Sequence, residues 1–207
     1  MAIRSAVEWL RKRKAKRFLI IGKGPSFSRY LDLPDEHGFH VVGINNCCLH
    51  RSVQVTHITD LHNVEQTGQA LIDNSDVVVL PWYPHVGNKP GGATLEQLLK
   101  EQPLLARLCK EDRLFTYNSS LAFKQRRGPG PVVPVRYFSA VAVVGLLAVS
   151  GVRMVRTLGI DGGSEYSPLF DKRNLGLNGR TSFDIQSPEI RKICKRYRVD
   201  YAPLETA

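Results

Sequence analysis

Short apolar blocks, each closed by glycine, proline or polar residues, recur along this chain of 207 residues. FLII at 18–21 is the first, HVVGI at 40–44 the second, VQVTHIT at 53–59 the third, and DVVVL at 76–80 the fourth, stopped by Pro81. Runs of this length, bounded by turn formers and rich in β-branched residues, predict buried strands. Between and after them the period changes. Residues 63–73 predict a helix, and 94–110 place Leu95, Leu98 and Leu99 at helical spacing, with a break or kink near Pro103. The proline- and glycine-rich stretch RRGPGPVVP at 126–134 predicts a mobile loop. SAVAVVGLLAVSG at 139–151 is apolar all round and built of small residues, which predicts a helix enclosed in the core with Gly151 as its stop. Residues 154–160 predict a strand ending in Asp161-Gly162-Gly163, and 164–181 a polar, basic loop or lid. A helix follows over 187–198 with Pro188 in its first turn, then a last short strand over 199–203.

Strands alternating with helical patterns predict an α/β fold: a single Rossmann-like domain at 18–207, with a mainly parallel sheet, helices on both faces and a C-terminal lid loop, preceded by a basic helix at 1–17. The length suits one domain with a full core, and no internal repeat is visible. In such sheets ligands bind beyond the carboxyl ends of the strands. The turns there are Gly22 to Ser26, Asn45-Asn46, Asp60 and Asp161 to Gly163.

An apolar content of 43% is ordinary, but a net charge of +10 is not. It implies an anionic partner: nucleotide, nucleic acid or acidic membrane. Residues 1–17 carry seven Lys/Arg against one acid, Glu8, with an apolar stripe of Ile3, Val7, Trp9 and Leu10. Such a segment is either a solvated basic helix or an interfacial anchor for anionic lipid. No apolar stretch precedes its basic cluster, as a secretion signal would require. The longest apolar run, 140–149, is too short to span a bilayer. The expectation is a cytoplasmic protein, soluble or peripheral at the inner membrane. The basic residues are not interleaved with aromatics in a nucleic-acid motif, so nucleic acid is the weaker candidate. The basic loops 124–127 and Lys172-Arg173, with Arg180, are either solvated faces or sites for phosphate or an anionic acceptor. Cys47, Cys48, Cys109 and Cys194 make no spaced metal pattern and read as reduced thiols.

Gly22-Lys23-Gly24-Pro25-Ser26, directly after the first block, is the strongest chemical signal. It begins like a dinucleotide fingerprint, but the third glycine is replaced by Phe27, and the Gly-Lys-Ser/Thr end of a P-loop is missing. Pro25 suits a first helical turn and Ser26 offers a hydroxyl, so backbone N–H groups there would face an anion; a plain turn is the alternative. His57, Asp60 and His62 form H-x-x-D-x-H around a strand end without a fourth ligand, which argues against metal.

IIGKGPS, GINN and SAVAVVGLLAVSGVRMVRTLGIDG together resemble the bacterial lipooligosaccharide sialyltransferases of glycosyltransferase family 42. The same pattern occurs in the related domain of motility-accessory proteins and archaeal pterin diphosphokinases. The similarity runs from about residue 18 to 202. It implies a GT-A-like variant of the fold and a CMP-activated sugar donor, with a bacterial surface glycan or lipid-linked precursor as acceptor. By position the nucleotide would lie on Gly22, Gly24, Pro25, Ser26 and Asn46, with Lys23 on a phosphate. Ser139 before the core helix, Gly159, and Tyr166 after Gly-Ile-Asp would complete the donor site. The late histidine that the family uses as base has no counterpart. The base is left to Asp60, Asp161 or one of His57, His62 and His85, and Arg180 would meet the departing phosphate. Mg²⁺ is compatible with this reading without being required by it. The alternatives are a Mg²⁺/ATP-dependent pterin diphosphokinase-like enzyme, with Asp60 and Asp161 paired on the metal, and a non-catalytic nucleotide-binding domain.

Overall fold

The computed structural model describes residues 2–13, 15–122, 124–136, 138–171, 177 and 179–205. The first apolar block shows why the chain layers as it does. Side chains alternate across a strand, and Phe18 and Ile20 enter one apolar cluster while Leu19 and Ile21 enter another on the opposite face. A strand buried on both faces must lie inside a sheet covered on both sides.

In chain order the elements are β1 (Arg4–Ser5), α1 (Ala6–Arg11), β2 (Arg17–Ile21), α2 (Ser28–Leu31), β3 (His40–Ile44), β4 (Val53–His57), α3 (His62–Thr67), α4 (Ala70–Asp73), β5 (Ser75–Pro81), β6 (His85–Val86), β7 (Lys89–Pro90), α5 (Leu95–Leu98), α6 (Pro103–Lys110), β8 (Leu114–Ser119), β9 (Val132–Val133), α7 (Ser139–Val149), β10 (Met154–Leu158), α8 (Gln186–Tyr197) and β11 (Asp200–Pro203). The sheet order is β1-β8-β5-β4-β3-β2-β10-β11, with β9 beside β8. Every pairing in it is parallel. The exception lies outside the sheet, where β6 and β7 form an antiparallel hairpin. This is the expected α/β, Rossmann-like architecture. From β2 the chain steps outward through β3, β4, β5 and β8, then returns through α7 to place β10 on the other side of β2. The loops after β2 and β10 therefore diverge, and a crevice opens between them at the carboxyl ends.

α7 fills the core of one face. Ala140 through Ala148 are all buried, in one cluster with Ala6, Val7 and Leu10 of α1 and Ile190 and Ile193 of α8. Gly151 ends it in the left-handed region (φ +90). Gly145 lies against the Pro134 carbonyl, where a Cβ would collide.

Several elements depart from the expected pattern. The 63–73 helix is two, α3 and α4, separated at Gly68 (φ 55, ψ −133). The third and last long strands stop at His57 and Leu158, two residues earlier than the apolar runs suggest. β8 was not expected. The 126–134 segment is tied down rather than loose. Asn118 Nδ2 donates to the Gly128 and Gly130 carbonyls at 3.0 and 2.7 Å, and Asn118 Oδ1 accepts from the Gly128 N–H at 2.7 Å.

The N-terminal segment is built into the fold. β1 pairs in parallel with the outer edge of β8. Ile3, Val7 and Leu10 are buried, and Trp9 lies 5.0 Å from the Phe115 ring. The stripe that could have met lipid is covered by the protein itself. Among the described residues no helix is long and apolar enough to cross a membrane. Lys172 and Arg173, with residues 174–176 and 178 of the loop or lid expected over 164–181, lie outside the described residues.

Candidate functional site

A cavity of about 410 Å³ opens at this crevice, lined by the turns after β2, β3, β4 and β10, the start of α7 and the β6–β7 hairpin. Two glycines hold the turns together. Register pairs Ile21 with Leu158, so Gly22 and Gly159 follow side by side. A Cβ on either would collide with the backbone of the other, and Gly159 also takes φ +71. The Gly22 N–H donates to the Leu158 carbonyl and the Gly24 N–H to the Gly159 carbonyl, both at 2.8 Å. A Cβ on Gly24 would stand 2.6 Å from Asp161 Oδ2. Close approach of two chains, rather than a ligand, accounts for all three glycines.

The anion at the first turn is supplied by the chain. The Ser26 N–H donates to Asp161 Oδ2 at 2.7 Å and Ser26 Oγ to Asp161 Oδ1 at 2.5 Å, while Ser26 Oγ accepts from the Gly159 N–H at 2.7 Å. The Ser26 amide and hydroxyl, expected to face a nucleotide, are here taken by Asp161. Neither Ser26 nor Pro25 lines the cavity; Gly22, Lys23, Gly24, Gly159 and Asp161 do.

Lys23 is the one Lys or Arg among the described lining residues, which also include the carboxylates Asp60, Asp161 and Glu165. Its Nζ lies 4.4 Å from the Tyr166 ring centroid. Burial pulls its pKa below the ordinary lysine range, opposed in part by the neighbouring Cys47 thiol. Tyr166 stacks on Phe183 at 5.5 Å, and Phe183 meets Phe138 edge-on at 5.2 Å, so three rings wall one side. Arg180 is not a lining residue; its guanidinium sits 5.4 Å over the Phe138 ring.

At the β3 end the lining asparagine is Asn45, not Asn46. Asn45 takes φ +55, and its Oδ1 is buried with no partner among the described residues. Ser139 lines the cavity and shares a hydrogen bond with Thr59 Oγ1 at 2.9 Å.

The three histidines separate. His57 is sealed inside, its Nε2 3.0 Å from the Tyr117 hydroxyl, and burial pushes its pKa down to about 3. His62 is exposed at the rim on α3. His85 lines the cavity although only 3% of it is exposed, and its Nε2 is buried without a partner among the described residues. Burial lowers its pKa, with the Asp60 carboxylate pulling the other way. Its backbone is fixed: the His85 N–H donates to the Thr59 carbonyl at 2.8 Å and its carbonyl accepts from the Leu61 N–H at 2.9 Å. Asp60, also in the lining, accepts from the His62 N–H at 3.1 Å and the Asn88 N–H at 2.8 Å. Among the described residues no cluster of three or more His, Cys, Asp or Glu could hold a metal ion.

The hairpin that carries His85 and Asn88 was not anticipated as part of the site. Its signal was present. Val86-Gly87-Asn88-Lys89 holds a Gly-Asn pair, and both central residues take positive φ (59 and 66), as a tight type I′ turn requires.

The sequence matches no model of a known protein family and resembles no curated protein significantly. Among solved structures, a crystal structure of the sialyltransferase CST-II in complex with a trisaccharide acceptor and CMP aligns with a TM-score of 0.51 and 17% identity, over 91% of this chain and 81% of that one. A structure of the sialyltransferase CstII from Campylobacter jejuni with the substrate analogue CMP-3FNeuAc aligns over the same shares at 18% identity, with a TM-score of 0.47. The first of these shows a shared fold: a parallel α/β sheet of the kind described above.

Proposed function

We propose that this chain is a glycosyltransferase that takes a CMP-linked sugar as donor and a glycan hydroxyl, on a surface glycan or its lipid-linked precursor, as acceptor. The observation that carries the reading is the charge of the cavity, where one lysine stands among three carboxylates at the switch point of the sheet. A single phosphate between nucleoside and sugar puts one negative charge at the linkage, which Lys23 can meet; a diphosphate puts a second charge there, with no second Lys or Arg among the described lining residues to meet it. An anion beside Lys23 also offsets the desolvation that now disfavours its charged form. The fold shared with a sialyltransferase solved with CMP and an acceptor supports the same choice.

In this reading Lys23 holds the donor phosphate, Tyr166 and Phe183 wall the donor, and Asn45 and Ser139 hydrogen-bond it. Asp161 and Ser26 lock the two loops that form the floor. For Arg180 to reach the departing phosphate, it must leave the Phe138 ring. In a Mg²⁺-nucleotide site made from Asp60 and Asp161, both carboxylates would share their oxygens with the donors they now accept from. Any peripheral hold on an anionic membrane through 1–17 rests on basic side chains such as Arg11, Lys12 and Arg13, since the apolar stripe is buried.

Thermal shift with CMP, UDP and ATP, each with and without Mg²⁺, tests the reading. CMP stabilises the protein without metal, and Lys23→Met weakens that binding by about tenfold or more, one lost charge-assisted contact of about 1.5–3 kcal/mol. Stabilisation by ATP with Mg²⁺ alone, or by no nucleotide, refutes it.

A further inference from the structure

We propose that His85 is the general base of this site, and that its Nε2 takes the proton of the acceptor hydroxyl. The inference rests on the glycosyltransferase reading above. Four observations converge on this side chain. It lines the cavity; it is 3% exposed; its Nε2 has no partner among the described residues; and its backbone is pinned on both sides to the β4 turn. A buried histidine nitrogen without a partner forfeits a hydrogen bond unless a ligand supplies one. The other bases that the sequence offers are otherwise engaged, and Glu165, also in the lining, is exposed. Both oxygens of Asp60 and of Asp161 accept hydrogen bonds from this chain, His57 is turned to Tyr117, and His62 is exposed on α3.

With the ring proton on Nδ1, Nε2 presents a lone pair toward an acceptor hydroxyl. The hydroxyl proton passes to Nε2 as the oxygen bonds to the anomeric carbon. The bond from that carbon to the phosphate oxygen breaks, its electron pair leaves with CMP, and His85 becomes imidazolium. Burial keeps the resting ring neutral and ready to accept the proton. The Asp60 carboxylate, bridged to His85 through the backbone, faces the cation that forms. The other titratable groups of the described lining are Lys23, His62 on α3, Asp161, Glu165 and Tyr166, and His57 on β4, paired with Tyr117 of β8, also bears on the ring.

The test follows CMP release from CMP-linked sialic acid, with lactose as acceptor probe and with water alone, alongside CMP binding by thermal shift. In His85→Gln, release falls by about 100-fold or more while the shift given by CMP stays that of the wild type. Added imidazole restores part of the loss in His85→Ala. The wild-type rate falls on acidification with an apparent pKa below the ordinary histidine value of about 6.5, and the residual rate of His85→Gln lacks that limb. If His85→Gln fails to fold, the wild-type profile still decides: a rate that does not fall on acidification anywhere below about pH 6.5, over the range in which CMP still shifts the melting temperature, overturns the assignment. Release by His85→Gln equal to wild type overturns it and leaves the glycosyltransferase reading standing. A wild type that neither binds CMP nor releases it removes both.

Discussion

The contact between Ser26 and Asp161 gives opposite expectations from those of a phosphate-binding turn. Two bonds run from Ser26 to the Asp161 carboxylate, at 2.7 and 2.5 Å, and a third runs from the Gly159 N–H to Ser26 Oγ at 2.7 Å. A buried hydrogen bond to a charged group contributes about 1.5–3 kcal/mol. Asp161 is exposed, and solvent screening reduces that considerably. Asp161→Ala and Ser26→Ala should therefore each destabilise by about 1–2 kcal/mol. For a chain of this size, that lowers Tm by roughly 2–8 °C. Because the residues act on each other, the double variant should fall short of the sum by about 0.5 kcal/mol or more. Denaturant unfolding of the four proteins measures the cycle, and calorimetric titration with CMP measures affinity. The lock predicts stability losses that are coupled, with CMP affinity for Ser26→Ala within about threefold of wild type. Additive stability effects, or a large loss of CMP affinity at unchanged stability, would show that the turn faces the ligand after all.

Asn45→Ala should weaken CMP binding more than Asn46→Ala, since Asn45 lines the cavity and Asn46 does not; equal effects by titration would contradict the placement. His57 stays neutral in the folded protein down to about pH 3 but titrates near 6.5 when unfolded. The unfolded chain thus binds the extra proton in this window, and stability falls as pH drops from about 6.5 toward 3, by up to about 1.4 kcal/mol per unit from this residue. His57→Asn should flatten that slope in denaturant midpoints measured between pH 4 and 7, and an unchanged slope would assign it elsewhere. Tyr117→Phe removes the partner of His57 Nε2 and should cost about 1–3 kcal/mol at pH 7. Asn118→Ala releases the Gly128–Gly130 backbone, so trypsin should cut after Arg126 or Arg127 markedly faster than in wild type, with the rest of the chain resistant.

The long central strands and α7 were readable because both of their environments are apolar. β2, β3 and β5 are buried on two faces and α7 all round, so an unbroken apolar run is their whole signature. β8 is buried just as deeply, yet reads LFTYNS. Its polar half is met outside the strand: Tyr117 pairs with His57, sixty positions away, Asn118 carries the 128–130 backbone, and Ser119 Oγ accepts from the Leu121 N–H just beyond the strand end. A window of local sequence registers the polarity of such residues and not what satisfies it. β1 is two residues long and exists through its pairing with Phe115 and Thr116, more than 100 positions away. The same limit hid the fate of the basic N-terminal stripe, whose apolar side chains look identical whether they face lipid or α7.

At the site, the first glycine turn borders the cavity, but Pro25 and Ser26 lie outside its lining and Asn45 stands there in place of Asn46. Gly-Lys-Gly-Pro-Ser marks a turn where side chains are excluded, and phosphate is one cause of such exclusion. A second strand end crossing at contact distance is another, and Gly22 against Gly159 is a case of it. Both glycine-rich turns arise because β2 and β10 are neighbours whose connections diverge, and that divergence also opens the cavity. The Ser26 amide and hydroxyl then close on Asp161 and stitch the floor together, while Lys23 from the first loop, Asn45 from the second and His85 from the hairpin line the cavity. Lys23 was named from its loop and His85 among the candidate bases, while the placing of Asn45 and His85 depends on backbone turns with positive φ, at residue 45 itself and at 87–88. A site built in this way tolerates change at the ligand more easily than at its floor. Substitution of Gly22 or Gly159 should therefore damage folding before it damages binding, whereas substitution of Lys23 should do the reverse.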